Sequence, residues 1–147
     1  MSSQCSIPTS LEGLKPDQLI LSRSDAFRHA DFALVFDTFH SESTLRRQFA
    51  DRDEYVGYAQ VNLQTSFKIL ECRILDQDHR GDEARVISLM TVEVDGKIQR
   101  YAELAWLRRE KGSWCYHRGQ RWDENLPGHV EQIDFAAFDR LEPKLIF

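Results

Sequence analysis

The chain has 147 residues, with 24 acidic side chains against 19 Lys and Arg, a net charge of −5. That balance argues against nonspecific nucleic-acid binding, because phosphate must be met by basic groups. One domain of this length buries roughly 70% of its unfolded surface. Cys5, Cys72 and Cys115 are odd in number and widely spaced, so no disulfide framework is expected and a reducing, cytoplasmic setting fits. The polar N-terminus lacks the basic-then-apolar pattern of a secretory signal. No apolar run approaches the roughly 20 residues that span a bilayer.

Residues 1–15 are Ser-rich and read as a loop. Pro16 suits the first turn of a helix. From there Leu19, Ile20, Arg23, Ala26, Phe27 and Ala30 recur at helical spacing. Arg23 is the one charge in that stripe. It either reaches water along its apolar stem or is paired beside a pocket, since an unpaired buried charge is costly. Asp31 can cap a second helix, Phe32–His40, which is apolar nearly all round and should be deeply packed. Ser43 or Thr44 can start a third, with Leu45 and Phe49 one turn apart. Asp51 and Glu54 resemble a capping box before a helix that shows Tyr55, Val56, Ala59 and Leu63 on one side.

The period then changes from helical to alternating. Ser66–Asp76 reads as a strand with Leu70, Cys72 and Ile74 on one face, followed by a turn at Asp78–Gly81. Glu83–Val94 is a second strand, and Asp95-Gly96 is a two-residue hairpin signal. Lys97–Arg109 and Ser113–Arg118, joined by Glu110-Lys111-Gly112, complete four antiparallel strands. In the third strand, Tyr101, Glu103, Ala105 and Leu107 share one face; Ile98, Ala102, Leu104 and Trp106 share the other. Glu103 is therefore either a carboxylate among apolar neighbours or a solvated outer residue. Past Gly119, Pro127-Gly128 marks a turn and Val130–Arg140 a short helix with Ile133, Phe135 and Phe138. Leu141, Leu145, Ile146 and Phe147 form an apolar ending that packs on its own domain or covers a partner.

Helices followed by strands predict one α+β domain, with N-terminal helices packed on a curved four-stranded antiparallel sheet. Such a sheet makes a cone with a cavity at its open end. The core spans 16–120, and 121–147 form a C-terminal extension packing on the core.

Two segments carry a family resemblance. In Leu19–His40 it rests on Leu19, Arg23, Ala26-Phe27, Asp31 and Thr38-Phe39-His40; in Glu103–Gly119, on Glu103, Glu110, Gly112, Trp114, Tyr116 and Gly119. These segments resemble the YchJ-like proteins, whose middle domain has the nuclear-transport-factor-2-like fold. Phe39 stands where that family usually has Trp, and Ala105 and Leu107 where it commonly has Ser and Phe. The resemblance implies the cone-shaped architecture and suggests that Arg23, Glu103 and His40 line one cavity. It departs in one respect: the family's short Cys-rich zinc motifs have no counterpart here, so no metal role is carried over.

Arg23 and Glu103 form the first candidate pair. A guanidinium fork meets a carboxylate in bidentate geometry, either to hold a polar ligand or only to fix the first helix on the sheet. His40 with Asp37 three residues earlier could make an acid–base couple, or His40 could simply suit a helix C-terminus. Tyr101 shares the Glu103 face and could donate a hydrogen bond in the cavity. Cys115 and His117, on one strand face, supply two metal-capable groups, fewer than a zinc site needs even if Cys72 lay near. Asp76, Asp78 and His79 sit in a turn, where Asp is common anyway. No phosphate loop, nucleophile elbow or dinucleotide fingerprint occurs, and no cofactor is expected.

Three functions compete. One is a pocket domain for a small polar ligand, with Arg23, Glu103, Tyr101 and His40 as binding residues. Another is a homodimer through the outer sheet face at Leu104 and Trp106. The third is an acid–base enzyme of isomerase, dehydratase or hydrolase type using Glu103 or His40.

Overall fold

The computed structural model describes residues 11–140. Three helices, α1 (Pro16–Arg28), α2 (Phe32–Asp37) and α3 (Arg52–Asn62), precede four strands. The strands are β1 (Phe67–Arg80), β2 (Glu83–Val94), β3 (Lys97–Glu110) and β4 (Ser113–Asp123), and α4 (Phe135–Arg140) follows. The sheet is an open antiparallel meander in the order β1-β2-β3-β4. The α+β architecture expected from the order of the two periods is thus present.

Helix α1 buries Leu19, Ile20 and Ala26, and they join Phe32, Val35, Phe36, Tyr55 and Ala59 from α2 and α3. This layer packs on Ala84, Val86, Ala105, Leu107, Trp114 and Tyr116 of the sheet. The stripe ends before Ala30. Ala30 adopts φ 55°, and its amide bonds to Phe27 O at 3.1 Å while the Asp31 amide bonds to Ala26 O at 2.8 Å. That is a Schellman ending, which normally uses Gly at this position.

Helix α2 is shorter than expected. It stops at Asp37 because the next residues pair with the sheet instead. The Tyr116 amide donates to Thr38 O at 2.7 Å, the His40 amide donates to Tyr116 O at 2.8 Å, and Phe39 and Tyr116 form a parallel bridge. The third expected helix is only a 3-10 turn at Arg46–Gln48. Asp51 does cap α3, accepting from the Glu54 amide at 2.9 Å, while Glu54 reaches back to the Ala50 amide at 3.1 Å.

Three bulges bend the outer strands. Register shifts fall between Ile69 and Glu71, between Ile74 and Asp76, and between Trp106 and Leu107 opposite His117. Each extra residue breaks the alternation. Leu70 is thereby turned out, at 41% exposed, away from the face it was expected to share with Cys72.

The outer sheet face differs most from expectation. Ile87, Leu89, Ala102, Leu104 and Trp122 are covered by the chain's own Val130, Ile133 and Phe138. The single helix expected at 130–140 divides into a 3-10 turn at Val130–Gln132 and α4, which lets Ile133 and Phe138 both reach the sheet. Leu104 is 0% exposed and offers no surface to a second subunit. Trp106 is half-buried; its indole N–H donates to Gln120 Oε1 at 3.3 Å, and the Arg118 guanidinium lies 4.5 Å from its ring. The apolar ending at 141–147 and Cys5 lie outside the described residues.

Candidate functional site

Between the helical layer and the inner sheet face lies a cavity of about 310 Å³. Its walls are aromatic and apolar, including Phe27, Phe39, Tyr55, Tyr58, Phe67 and Met90. Its polar lining comes from Arg23 and Ser24 of α1, Cys72 of β1, Tyr101 and Glu103 of β3, and Tyr116, His117 and Arg121 of β4. Apolar walls with a few convergent polar groups are the usual make-up of a small-molecule site.

Glu103 sits mid-strand, opposite Ser88 on β2 and Arg121 on β4. It is the inward alternative of the two readings, half-buried because it faces the cavity. The Tyr116 hydroxyl donates to its Oε2 at 2.9 Å. Burial raises the Glu103 pKa above the usual carboxylate range; Arg23, the Tyr116 hydrogen bond and Arg121 pull it down without cancelling that effect.

Arg23 turns inward too, but not as a fork on Glu103. Among the described residues no ion pair joins the two. Instead Arg23 Nη1 donates to Thr38 Oγ1 at 2.6 Å, and Thr38 donates to Val35 O at 2.5 Å. The guanidinium carbon lies 3.9 Å from the Tyr116 ring centre and 4.7 Å from that of Phe39. Tyr116 is therefore the link. Its ring faces Arg23 and its hydroxyl faces Glu103. Both contacts need Tyr116 to point inward, where it pairs with Leu107, and the bulge at His117 lets Gly119 and Arg121 regain the same face.

The same bulge separates Cys115 from His117, which the alternation placed together. His117 lines the cavity and Cys115 does not; the Cys115 thiol lies 3.7 Å from Ser113 O. No cluster of three or more metal-capable side chains occurs among the described residues.

His40 and Asp37 form no couple. Asp37 is half-exposed and pairs with Arg52 of α3 at 2.6 Å. His40 follows the end of α2, is buried by its pairing with β4, and is not a lining residue. Its Nδ1 accepts from the Glu42 amide at 3.0 Å, so a neutral ring carries its proton on Nε2. Its ring meets that of His117, with centres 5.6 Å apart. The imidazole in the cavity wall is thus His117. Burial lowers the His117 pKa, helped by Arg108, His40 and Arg118.

Tyr101 lines the cavity as expected, with the Arg121 guanidinium 3.9 Å from its ring centre. Burial and the Glu103 charge push its hydroxyl far above the ordinary range. Cys72 also faces the site. Burial, then Glu103, push its thiol up to about 11. Glu110, at the end of β3, stands outside the cavity. It accepts from the Ser41 amide at 3.0 Å and from the Ser41 hydroxyl, tying the loop after α2 to the β3–β4 hairpin. Burial opposes the charge of Glu110, but the Ser41 bonds outweigh it and its pKa is lowered.

Arg121 was not foreseen, because the fourth strand was expected to end at Arg118. Trp122 carries the signal that the strand continues: a large apolar residue at an outward position, with Arg121 inward beside it.

Helices on the inner face of an open four-stranded meander, with a lined cavity between, define a nuclear-transport-factor-2-like α+β domain. Residues 15–119 match the family described as YchJ, middle NTF2-like domain. The chain belongs to that family. Its fold is similar to the solution structure of a SEC-C motif containing protein from Rhodopseudomonas palustris. The TM-score is 0.56 at 24% identity, over 71% of this chain and 76% of that one. Comparison with curated proteins gives no match. No helix among the described residues is long and apolar enough to cross a membrane.

Proposed function

We propose that this domain is a cytoplasmic binding module for a small amphipathic ligand, seated in the cavity between α1 and the sheet. The observation that carries this reading is the pairing of Glu103 and Tyr116 inside an open, aromatic-walled space. A carboxyl with a raised pKa there disfavours folding, so a polar function for it accounts for its presence better than stability does. Arg23, Glu103 and Tyr101 keep their assigned binding roles, and Arg121 and His117 join them. His40 acts only by supporting His117.

Methyl-detected NMR of the full chain tests this with a set of small aromatic fragments bearing acidic, neutral and basic head groups. Shifts at Ile20, Ile69 and Met90 are expected, and Cys72→Phe, which fills the cavity, removes them. Silence from all three head classes refutes the reading.

An acid–base enzyme of isomerase, dehydratase or hydrolase type is the second reading, favoured by the raised pKa of a carboxyl that faces the cavity. It requires Glu103 to take a proton from bound ligand. Deuterium exchange at a carbon beside a ligand carbonyl, present in the wild type and absent in Glu103→Gln, separates catalysis from binding alone. The homodimer reading ranks below both, since the outer apolar face at Leu104 is already occupied by the C-terminal segment.

A further inference from the structure

We propose that the ligand is a small carboxylate with an aromatic or short apolar body, its head held between Arg23 and Arg121 above the Glu103–Tyr116 pair. This rests on the binding reading above and names its ligand class.

The cavity lining carries two guanidiniums, Arg23 and Arg121, against one carboxylate, Glu103. Asp123 is not a lining residue; it accepts from Arg121 Nη2 at 3.1 Å and is itself 37% exposed, so solvent weakens its hold. Arg121 Nε is buried and has no hydrogen-bond partner among the described residues. Arg23 bonds to Thr38 through Nη1, and the described residues accept no other proton from its guanidinium. Each guanidinium offers five N–H donors, and a buried donor without an acceptor, as at Arg121 Nε, is costly. A carboxylate meets guanidinium donors in bidentate geometry.

Rival head groups fit less well. An ammonium would contact Glu103 only by entering between two like charges. An amide could satisfy one or two donors, but as a neutral acceptor it bonds a guanidinium more weakly than a carboxylate does and without the fork geometry. The body is set by the walls: Phe27, Phe39, Tyr55, Tyr58 and Phe67 surround a volume at the small end of ligand pockets.

Glu103 must then accommodate a second carboxylate. Two neighbouring carboxylates do not both stay ionised. The groups facing Glu103 are Arg23 from α1, Cys72 from β1, Ser88 from β2, Tyr101 on its own strand, and Tyr116 and Arg121 from β4. Burial already favours its acid form. At a pH where the free protein holds Glu103 ionised, the ligand therefore enters with one proton, which stays on Glu103 and lets that carboxyl donate a hydrogen bond.

NMR and calorimetric titration of the full chain with benzoate and phenylacetate, their matched amides, and benzylamine decide the matter. The acids are expected to bind at least tenfold more tightly than the amides, with one proton taken up, and benzylamine is expected not to compete. Arg121→Met reduces acid binding to the level of the amides. Glu103→Gln tightens acid binding and removes the proton uptake. Amides or benzylamine binding as well as the acids would overturn the proposal while leaving the pocket intact. Acid preference surviving in Arg121→Met would overturn it as well. Should that variant not fold, absence of proton uptake in the wild type at every pH up to 8 has the same force. If no compound of any class binds, the pocket reading itself fails, and this proposal with it.

Discussion

The hydroxyl of Tyr116 donates a 2.9 Å hydrogen bond to Oε2 of Glu103, joining β3 to β4 within the cavity wall. Because Tyr116 is 1% exposed, Phe would fill its place. Tyr116→Phe should therefore destabilise the protein by about 1–3 kcal/mol through the carboxylate's lost donor, as read by chemical denaturation near neutral pH. A loss within error would mean that Glu103 is already solvated.

Glu103→Gln should act in the opposite direction. The folded protein holds this carboxyl above its unfolded pKa, so it binds more protons there than the unfolded chain does. Stability contributed by the protonated group is fully present below the ordinary carboxylate range and is lost as pH rises through the folded pKa. The variant should be as stable as the wild type or more so near neutrality, with the difference closing in acid. A large loss at neutral pH would identify Glu103 as a structural charge instead.

Cys72 tests the same electrostatics without unfolding. Its thiol is pushed from the ordinary 9.0 up to about 11, which lowers its thiolate fraction about a hundredfold at pH 8 and below. Alkylation by iodoacetamide, followed site by site by mass spectrometry, should be correspondingly slow at Cys72. Glu103→Gln should speed it by removing a neighbouring negative charge. Equal rates in both proteins would place Cys72 outside the influence of Glu103.

Ala30 predicts a gain. Its φ of 55° lies in the left-handed region, where a Cβ is strained and Gly is not. Ala30→Gly should raise stability by about 0.5–1 kcal/mol, after the entropy that Gly returns to the unfolded chain. Thermal unfolding checks this, and a net loss would mean that the methyl group's packing beside α1 outweighs the strain.

Phe138 tests the cover on the outer face. It is 0% exposed and meets Trp122 edge-on at 5.8 Å. Phe138→Ala should cost about 3–5 kcal/mol. Light scattering should then show self-association of the variant, as Leu104 and its neighbours lose their cover. A variant that stays monomeric and stable would show that the segment contributes little.

The change from helical to alternating period was legible in the residues, as were the hairpins at Asp95-Gly96 and Lys111-Gly112, where φ is positive at all four positions. Arg23 and Glu103 stood out because each interrupts an apolar pattern, but the pattern alone left open whether either faces the interior or water. What was not legible depends on contacts distant in sequence. Nothing local says that Thr38–His40 will leave the helix for the edge of β4, and this moves His40 from the cavity to its margin. A bulge leaves no mark on composition, yet the one at His117 decides which of Cys115, Tyr116 and His117 reach the cavity. Leu104 and Trp106 read as a patch because the residues that bury Leu104 lie well beyond it in the chain.

The short parallel bridge between Phe39 and Tyr116 has a consequence for how the protein behaves in a crowded solution. A free strand edge is a template on which other chains can add. Here one end of the sheet is closed in part by Thr38–His40, tied further by Ser41 to Glu110. The other end, β1, carries two bulges and the charges Glu71, Arg73, Asp76, Asp78 and Arg80. Neither border is both flat and apolar. An open sheet of four long strands is thereby discouraged from growing into a fibre.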